Sequence, residues 1–274
     1  MMDTGFRSLF NGKTLTGWHA VPRLPVPRVP GGPEPILTPT QREQALAHTG
    51  SWTVEDGAIV GRQNPPGCGL GAYLLSDDMF GDFELELEAN PDWPADTGIM
   101  VRAADVGSLG YQILVDHRKS GNIGGFYGNG IGGFHAVNHT LDVLRDTSDQ
   151  PIGLMLEDAA TTLEPMTPEK PALLTQAASG EDFLEAWKWR DWNTFRIRVE
   201  GASPIITVHI NGLLVSQINT ATITWPDYDP AVVRKVLGSR GHIAFEVHDN
   251  DPGMGAARWG AAAACRWRNI RIRT

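Results

Sequence analysis

Between Asp82 and Ala89 the chain alternates strictly. Phe83, Leu85, Leu87 and Ala89 fall on one side of an extended backbone, and Glu84, Glu86 and Glu88 fall on the other. A helix would scatter these residues around its axis, whereas a strand sorts them into one apolar and one acidic face. The segment therefore predicts a half-buried antiparallel strand. Its acidic face is either a solvated wall or the floor of a binding site, and three carboxylates in a row force that choice.

The same signature recurs along the chain. Residues 52–54 and 58–60 flank Glu55-Asp56-Gly57, whose Asp-Gly pair marks a hairpin turn. Residues 98–102, 111–116, 194–200, 205–210, 213–217, 242–248 and 267–273 also read as strands, and Asn211-Gly212 joins two of them through the strongest two-residue hairpin signal present. One short helix is predicted over 180–189, with Phe183, Ala186 and Trp187 forming its apolar side. Thirty-one glycines and 19 prolines supply the turns that so many strands need. The fold class this predicts is an all-β sandwich, built as one domain over 1–274.

Two stretches interrupt the rhythm. Residues 21–50 hold a proline-rich part, 22–39, followed by a short polar segment, and residues 128–190 carry few strand signals. Long insertions at the rim of a compact domain often serve as lids or binding loops, with inert surface decoration as the plain alternative.

Bulk charge narrows the partners. A formal net charge of −9 argues against nucleic acid, because phosphate binding needs a basic surface. No apolar run approaches the roughly 20 residues that span a bilayer, so no membrane partner is expected. Residues 1–5 lack a basic region followed by an apolar one, which predicts no leader and a cytoplasmic location, or a periplasmic or secreted one if a leader was removed. Cys68 and Cys265 are too few for a disulfide scaffold and read as free thiols, with pairing across the fold as the alternative. The sequence sets no oligomeric state.

The order of several motifs is similar to that of the 3-keto-disaccharide hydrolase family. The residues that carry the resemblance are Leu9-Phe10-Asn11-Gly12-Lys13-Thr14-Leu15-Thr16-Gly17-Trp18, Trp52-Thr53-Val54-Glu55-Asp56-Gly57, Asp82-Phe83-Glu84-Leu85, Thr97-Gly98-Ile99-Met100-Val101-Arg102, Tyr111-Gln112-Ile113 with Asp116, Trp192-Asn193-Thr194-Phe195-Arg196-Ile197, Asn211-Gly212 and Arg268-Asn269-Ile270-Arg271-Ile272. The resemblance implies a concanavalin-like or LamG-like jelly-roll. It also implies a carbohydrate substrate, a glycoside whose sugar carries a ketone at C3, made upstream by a separate oxidoreductase. The chain departs from the family pattern in its two insertions and in Gly241 to His248, which matches the family's penultimate strand only approximately.

Period-two reading then selects candidate site residues. Gln112, Leu114 and Asp116 share one face of their strand; Arg102 falls opposite Val101; His242, Ala244, Glu246 and His248 share a face of theirs. If these strands share a sheet, Arg102, Gln112, Asp116, Glu246 and His248 line one polar surface. Asp116, Glu246 and His248 are the catalytic candidates, while Arg102, Gln112, Tyr127 and His135 are the substrate-binding ones. The bland alternatives are ion pairing for Arg102, a turn cap for Asp116 and a loop position for His135, which follows the glycine-rich run 124–130. That run lacks the strand–helix context of a phosphate loop.

For a 3-keto-glycoside the expected chemistry is elimination, with or without water addition. A general base removes the acidic C2 proton, Arg102 steadies the enolate oxygen, and an acid protonates the leaving oxygen. Asp116 or Glu246 is expected as base and His248 or His135 as acid. Two other functions stay open: a non-catalytic carbohydrate-binding module or lectin, and a retaining β-glucanase-like glycosidase using the glutamate ladder, whose carboxyls would need to lie about 5–5.5 Å apart. No cofactor is called. The histidines show no zinc-type spacing, and a divalent cation near Asp249, Asn250 and Asp251 is the one metal option.

Overall fold

The computed structural model describes residues 5–250 and 255–274. In chain order its elements begin with β1 (Arg7–Ser8), β2 (Trp18–Pro22), α1 (Pro39–Ala47), β3 (Ser51–Glu55), β4 (Ala58–Arg62), β5 (Ala72–Ser76), β6 (Phe83–Pro91), β7 (Thr97–Ala103) and β8 (Gly110–Val115). They continue with β9 (Ile123–Asn129), β10 (His135–Ala136), β11 (Leu141–Arg145), β12 (Pro151–Leu156), α2 (Glu169–Ala172), β13 (Leu174–Ala177) and α3 (Gly180–Ala186). The last third holds β14 (Asn193–Glu200), β15 (Ile205–Ile210), β16 (Leu213–Asn219), α4 (Pro230–Leu237), β17 (His242–Val247) and β18 (Cys265–Arg273).

Two antiparallel sheets carry the fold. One runs β13-β16-β15-β14-β6-β18-β4-β3 with β1 beside β18, and the other runs β10-β9-β8-β7-β17-β5-β2. Alternation decides what lies between them. Leu85 and Leu87 of β6, with Phe195, Ile197 and Val199 of β14, meet Ile99, Val101, Ile113 and Phe245 of the second sheet in one apolar core. Trp18, Phe245 and Trp267 stack through that core at 5.2 and 4.8 Å between ring centres. Each such side chain contributes about 1.5–3 kcal/mol by leaving water. The result is the expected jelly-roll β-sandwich.

The hairpins form for the reason their sequences suggest. Asp56 and Gly57 have φ of 49° and 77°, and Asn211 and Gly212 have φ of 50° and 89°. Positive φ at both central residues gives a two-residue turn the twist its strands require.

The glutamates of β6 lie on the outer wall. In register, Arg196 and Arg198 of β14 stand opposite Glu86 and Glu84, and Arg268, Arg271 and Arg273 of β18 stand opposite Glu88, Glu86 and Glu84. Arg268 reaches Glu88 at 2.6 Å, Arg273 reaches Glu84 at 2.6 Å, and Arg271 pairs with Glu86. Burial alone would raise the Glu84 pKa, but hydrogen bonds from Arg196 and Arg273 bring it below the usual carboxylate value. Every rung is paired with an arginine of a neighbouring strand, so the ladder presents ion pairs and not an open pair of carboxyls.

Both insertions hold more regular structure than their sequences predict. Residues 21–50 contain α1, begun by a capping box in which Thr38 and Gln41 satisfy each other's backbone N–H groups. Residues 128–190 contain the separate hairpin β11–β12, which escapes pattern reading because Leu144, Ile152 and Met155 are exposed. The predicted helix over 180–189 stops at Ala186, since Trp187 turns extended at ψ 133°. The glycine-rich run is strand β9. Gly125 and Gly128 leave the room that Val137 and Phe134 occupy.

Candidate active site

The second face of the seven-stranded sheet, turned away from the sandwich core, carries a polar cavity of about 460 Å³. Strands β7, β8 and β17 do share this sheet. Gln112, Asp116, Tyr127, His135 and His248 all line the cavity.

Glu246 lies just beneath it, with no solvent exposure. Its Oε1 accepts from Arg23 Nε and from the Tyr73 hydroxyl, both at 2.8 Å, and its Oε2 accepts from Gln112 Nε2 at 2.6 Å. Gln112 Oε1 in turn accepts from Asn129 Nδ2 at 2.5 Å. Gln112 belongs to β8 and Glu246 to β17, with β7 between them. The side chain crosses β7 over Gly98, where a Cβ would collide with it. A glycine in the middle strand is thus what lets a glutamine tie two non-adjacent strands. With three donors on its two oxygens, Glu246 is an anchor of the floor and not an open proton acceptor.

His248 follows β17. Its Nδ1 lies 2.7 Å from the Asp249 carbonyl oxygen and 2.9 Å from Asp249 Oδ1, both acceptors. Its Nε2 lies 3.1 Å from Arg23 Nη2 and 3.1 Å from Arg258 Nη2, both donors only. The proton therefore sits on Nδ1 and the lone pair on Nε2 receives guanidinium N–H groups. Both nitrogens are engaged, so the ring organises two arginines. Burial pushes the Asp249 carboxyl up, but the His248 hydrogen bond and the Arg23 charge overcome that and hold it at about 2.

Two buried aspartates complete this wall. Asp96 Oδ2 accepts from Arg258 Nη2 at 2.8 Å and from Arg118 Nη2 at 3.2 Å. Asp116 accepts at Oδ2 from Arg118 Nη2 (2.6 Å) and at Oδ1 from the Arg118 backbone N–H (3.0 Å). The three arginines are balanced by carboxylates, which leaves a dense field of donors without a net positive charge.

His135 and Tyr127 face each other across the β9–β10 pairing, edge to face at 6.0 Å. Burial pushes His135 down to about 4, with the charge of Lys170 adding and that of Asp96 opposing. Near neutrality the ring is uncharged and keeps a lone pair. An uncharged ring differs from the imidazolium that the expected role of His135 as acid requires. The Tyr127 hydroxyl has no hydrogen-bond partner among the described residues.

Arg102, expected among the substrate-binding residues, does not line the cavity. Its guanidinium is buried and donates to the carbonyls of Phe80 (3.2 Å) and Gly201 (3.1 Å) and to Asp82 (3.2 Å). Between β7 and β17 the register slips, so that His242 faces Ala103 while Ala244 faces Met100. This bulge, with Arg102 at φ 52°, inserts one residue and puts Ala103, not Arg102, beside Met100. Period-two counting fails at that point.

Sequence reasoning missed Arg23, Asp96, Arg118, Arg258 and Glu164. Arg23 lies at the edge of the proline-rich stretch and Arg258 just beyond the Asp/Gly-rich loop, segments that carry no periodic signal. Among the described residues no group of three or more ligand side chains gathers to hold a metal ion; of the proposed cation loop, Asp251 lies outside the described residues, as do residues 1–4 on which the leader expectation partly rests. Cys68 and Cys265 are free.

The chain belongs to the family of 3-keto-alpha-glucoside-1,2-lyase-like domains, whose model matches residues 5–273. Among solved structures it is similar to a candidate glycosyl hydrolase from Parabacteroides distasonis ATCC 8503, at 15% identity over 98% of each chain with a TM-score of 0.48. It is also similar to the carbohydrate-binding module CBM66 from Bacillus subtilis, at 13% identity over 82% of this chain and 92% of that one, TM-score 0.44. A protein with a galectin-like fold from Bacillus subtilis matches at 10% identity over 94% and 90%, TM-score 0.42. No curated protein matches. The family is a carbohydrate-active one.

Proposed function

We propose that this protein cleaves 3-keto-glycosides by elimination in the cavity on the seven-stranded sheet. The observation that carries the reading is the meeting, in one cavity, of an uncharged imidazole, His135, with an arginine-rich wall held by Asp96, Asp116 and His248. A C3 ketone acidifies the C2 proton, and His135 accepts it as general base. The electron pair moves into the C2–C3 bond and onto the ketone oxygen, where Arg23 and Arg258 donate to the enolate. These guanidiniums already converge within 3.1 Å of His248 Nε2, so they need little rearrangement to meet a developing anion. Collapse of the enolate breaks the C1–O bond, and the Tyr127 hydroxyl delivers the proton to the departing oxygen. Asp116 fixes Arg118 on the same wall, and Gln112 with Glu246 holds its floor. Addition of water to the resulting enone makes the net outcome hydrolysis.

The test is a side-by-side assay of a 3-keto-glucoside and its parent glucoside, with C2–H exchange followed in deuterated water. Cleavage of the keto sugar alone, with C2 deuterium washing in or out, is expected. Absence of both exchange and cleavage of the keto sugar overturns the reading; binding of the parent sugar without turnover of either would make the protein a carbohydrate-binding module.

A further inference from the structure

Lys170, in the long insertion, is a largely buried side chain that the reading above leaves unused. It lies on α2, is 9% exposed, and its ammonium has no hydrogen bond or ion pair among the described residues. The short helix α2 packs on β10, the strand that carries His135, and the Lys170 charge is felt at that imidazole.

On another side of the ring stands Glu164, with Oε2 3.8 Å from His135 Nδ1. Its loop is not left to wander. The Ser120 hydroxyl accepts from the backbone N–H groups of Leu163 (2.8 Å) and Glu164 (3.2 Å) and donates to Glu157 at 2.7 Å. Ser120 sits at the β8–β9 connection, so the sheet itself positions the loop. Both residues come from the long insertion that carries few strand signals. The other charged or titratable groups around His135 are Tyr127 on β9, Asp96 across the cavity, and Arg28, which lies near the Tyr127 hydroxyl by way of Gly133 and is paired with Asp227.

We propose that Glu164 and Lys170 are positioning residues for His135, supplied by the insertion. Glu164 draws the Nδ1 proton and so leaves the lone pair on Nε2; Lys170 places a fixed positive charge behind the ring, so that a proton taken from substrate is passed on and not retained. The separation of 3.8 Å is longer than a hydrogen bond, so Glu164 acts on the ring through its charge. This inference rests on the reading of His135 as the base.

The experiment has two readouts on the full chain: the titration of the His135 ring by NMR without substrate, and kcat and KM against pH with a 3-keto-glucoside. Lys170→Met is expected to move the His135 midpoint upward by about half a pH unit or more, with the acid limb of kcat moving equally, and Lys170→Arg is expected to restore both. Glu164→Gln, at a half-exposed position where folding is not at stake, is expected to lower kcat by roughly 10-fold or more with KM unchanged. An unmoved midpoint in Lys170→Met, or the same shift in Lys170→Met and Lys170→Arg, overturns the role of Lys170; unchanged kcat in Glu164→Gln overturns that of Glu164. If the midpoints shift as expected while even the unaltered protein fails to cleave the keto sugar, the charge arrangement stands and the catalytic reading falls.

Discussion

Two faces of this sandwich carry alternating charges, and they use them in opposite ways. On the outer face of β6, Glu84, Glu86 and Glu88 meet arginines from the strands on either side, in register, with Glu86 and Glu88 partly open to water and Glu84 nearly covered. On the far face of the second sheet, Glu246 is sealed from solvent and held by Arg23, Tyr73 and Gln112, which come from three other parts of the chain. In sequence both look like acidic positions on alternating strands. Solvent and the origin of the partners separate them. A ladder of local pairs in water keeps a sheet soluble and is worth little per rung. A sealed carboxylate with distant partners fixes a geometry, because any missing partner leaves a buried charge exposed to an apolar surrounding.

The contrast can be broken most sharply at the site. His135→Ala is expected to reduce kcat on a 3-keto-glucoside by roughly 10²–10⁴-fold while thermal unfolding stays near that of the parent protein; a loss under tenfold would remove His135 as the base. Next comes the anchor. Glu246→Ala takes the shared acceptor from the sealed Tyr73 hydroxyl and Gln112 amide and leaves Arg23 with Asp249 as its ion-pair partner, so a destabilisation of about 3–5 kcal/mol is expected in denaturant unfolding. A value below 1 would mean the sealed and the solvated carboxylates are alike after all.

Acid provides a third test. His117, His135 and His139 are all pushed down to about 4, chiefly by burial, from an ordinary value of 6.5. Between these values the unfolded chain binds protons that the folded chain refuses, so stability is expected to fall as pH drops from 6.5 toward 4. Below that range Glu55 and Asp249, both held at about 2, continue the loss in the same direction. Unfolding midpoints that stay flat between pH 7 and 4.5 would contradict the buried, uncharged histidines. The smallest effect belongs to the ladder. Glu88→Gln is expected to change stability by about 1 kcal/mol or less, and less again in high salt, with turnover untouched.

Much of the fold was legible in advance because period-two alternation is a local consequence of strand geometry. Strands β3, β4, β6 to β8, β14 to β18 and both tight turns follow from residues within a few positions of each other. Strand β9 did not, since its glycines are chosen by the packing of Val137 and Phe134 and look like a loop when read alone. At the site the same rule led to Gln112, Asp116, Glu246 and His248, all on or just beneath the cavity. It failed at Arg102, where one bulged residue reverses the face.

By itself, then, the order of residues determined which segments become strands, which sides of them turn from water, and the family to which the chain belongs. Tertiary structure alone decided which polar groups meet. Arg23 and Glu246 are 223 positions apart, and Gln112 and Glu246 are 134 apart. Nothing local to either residue encodes the partner; the pairing exists only because β7 lies between β8 and β17 and carries a glycine where the glutamine must cross. Local chemistry sets the faces of a strand, whereas the charge state and role of a buried group depend on neighbours that only the closed sandwich brings within reach.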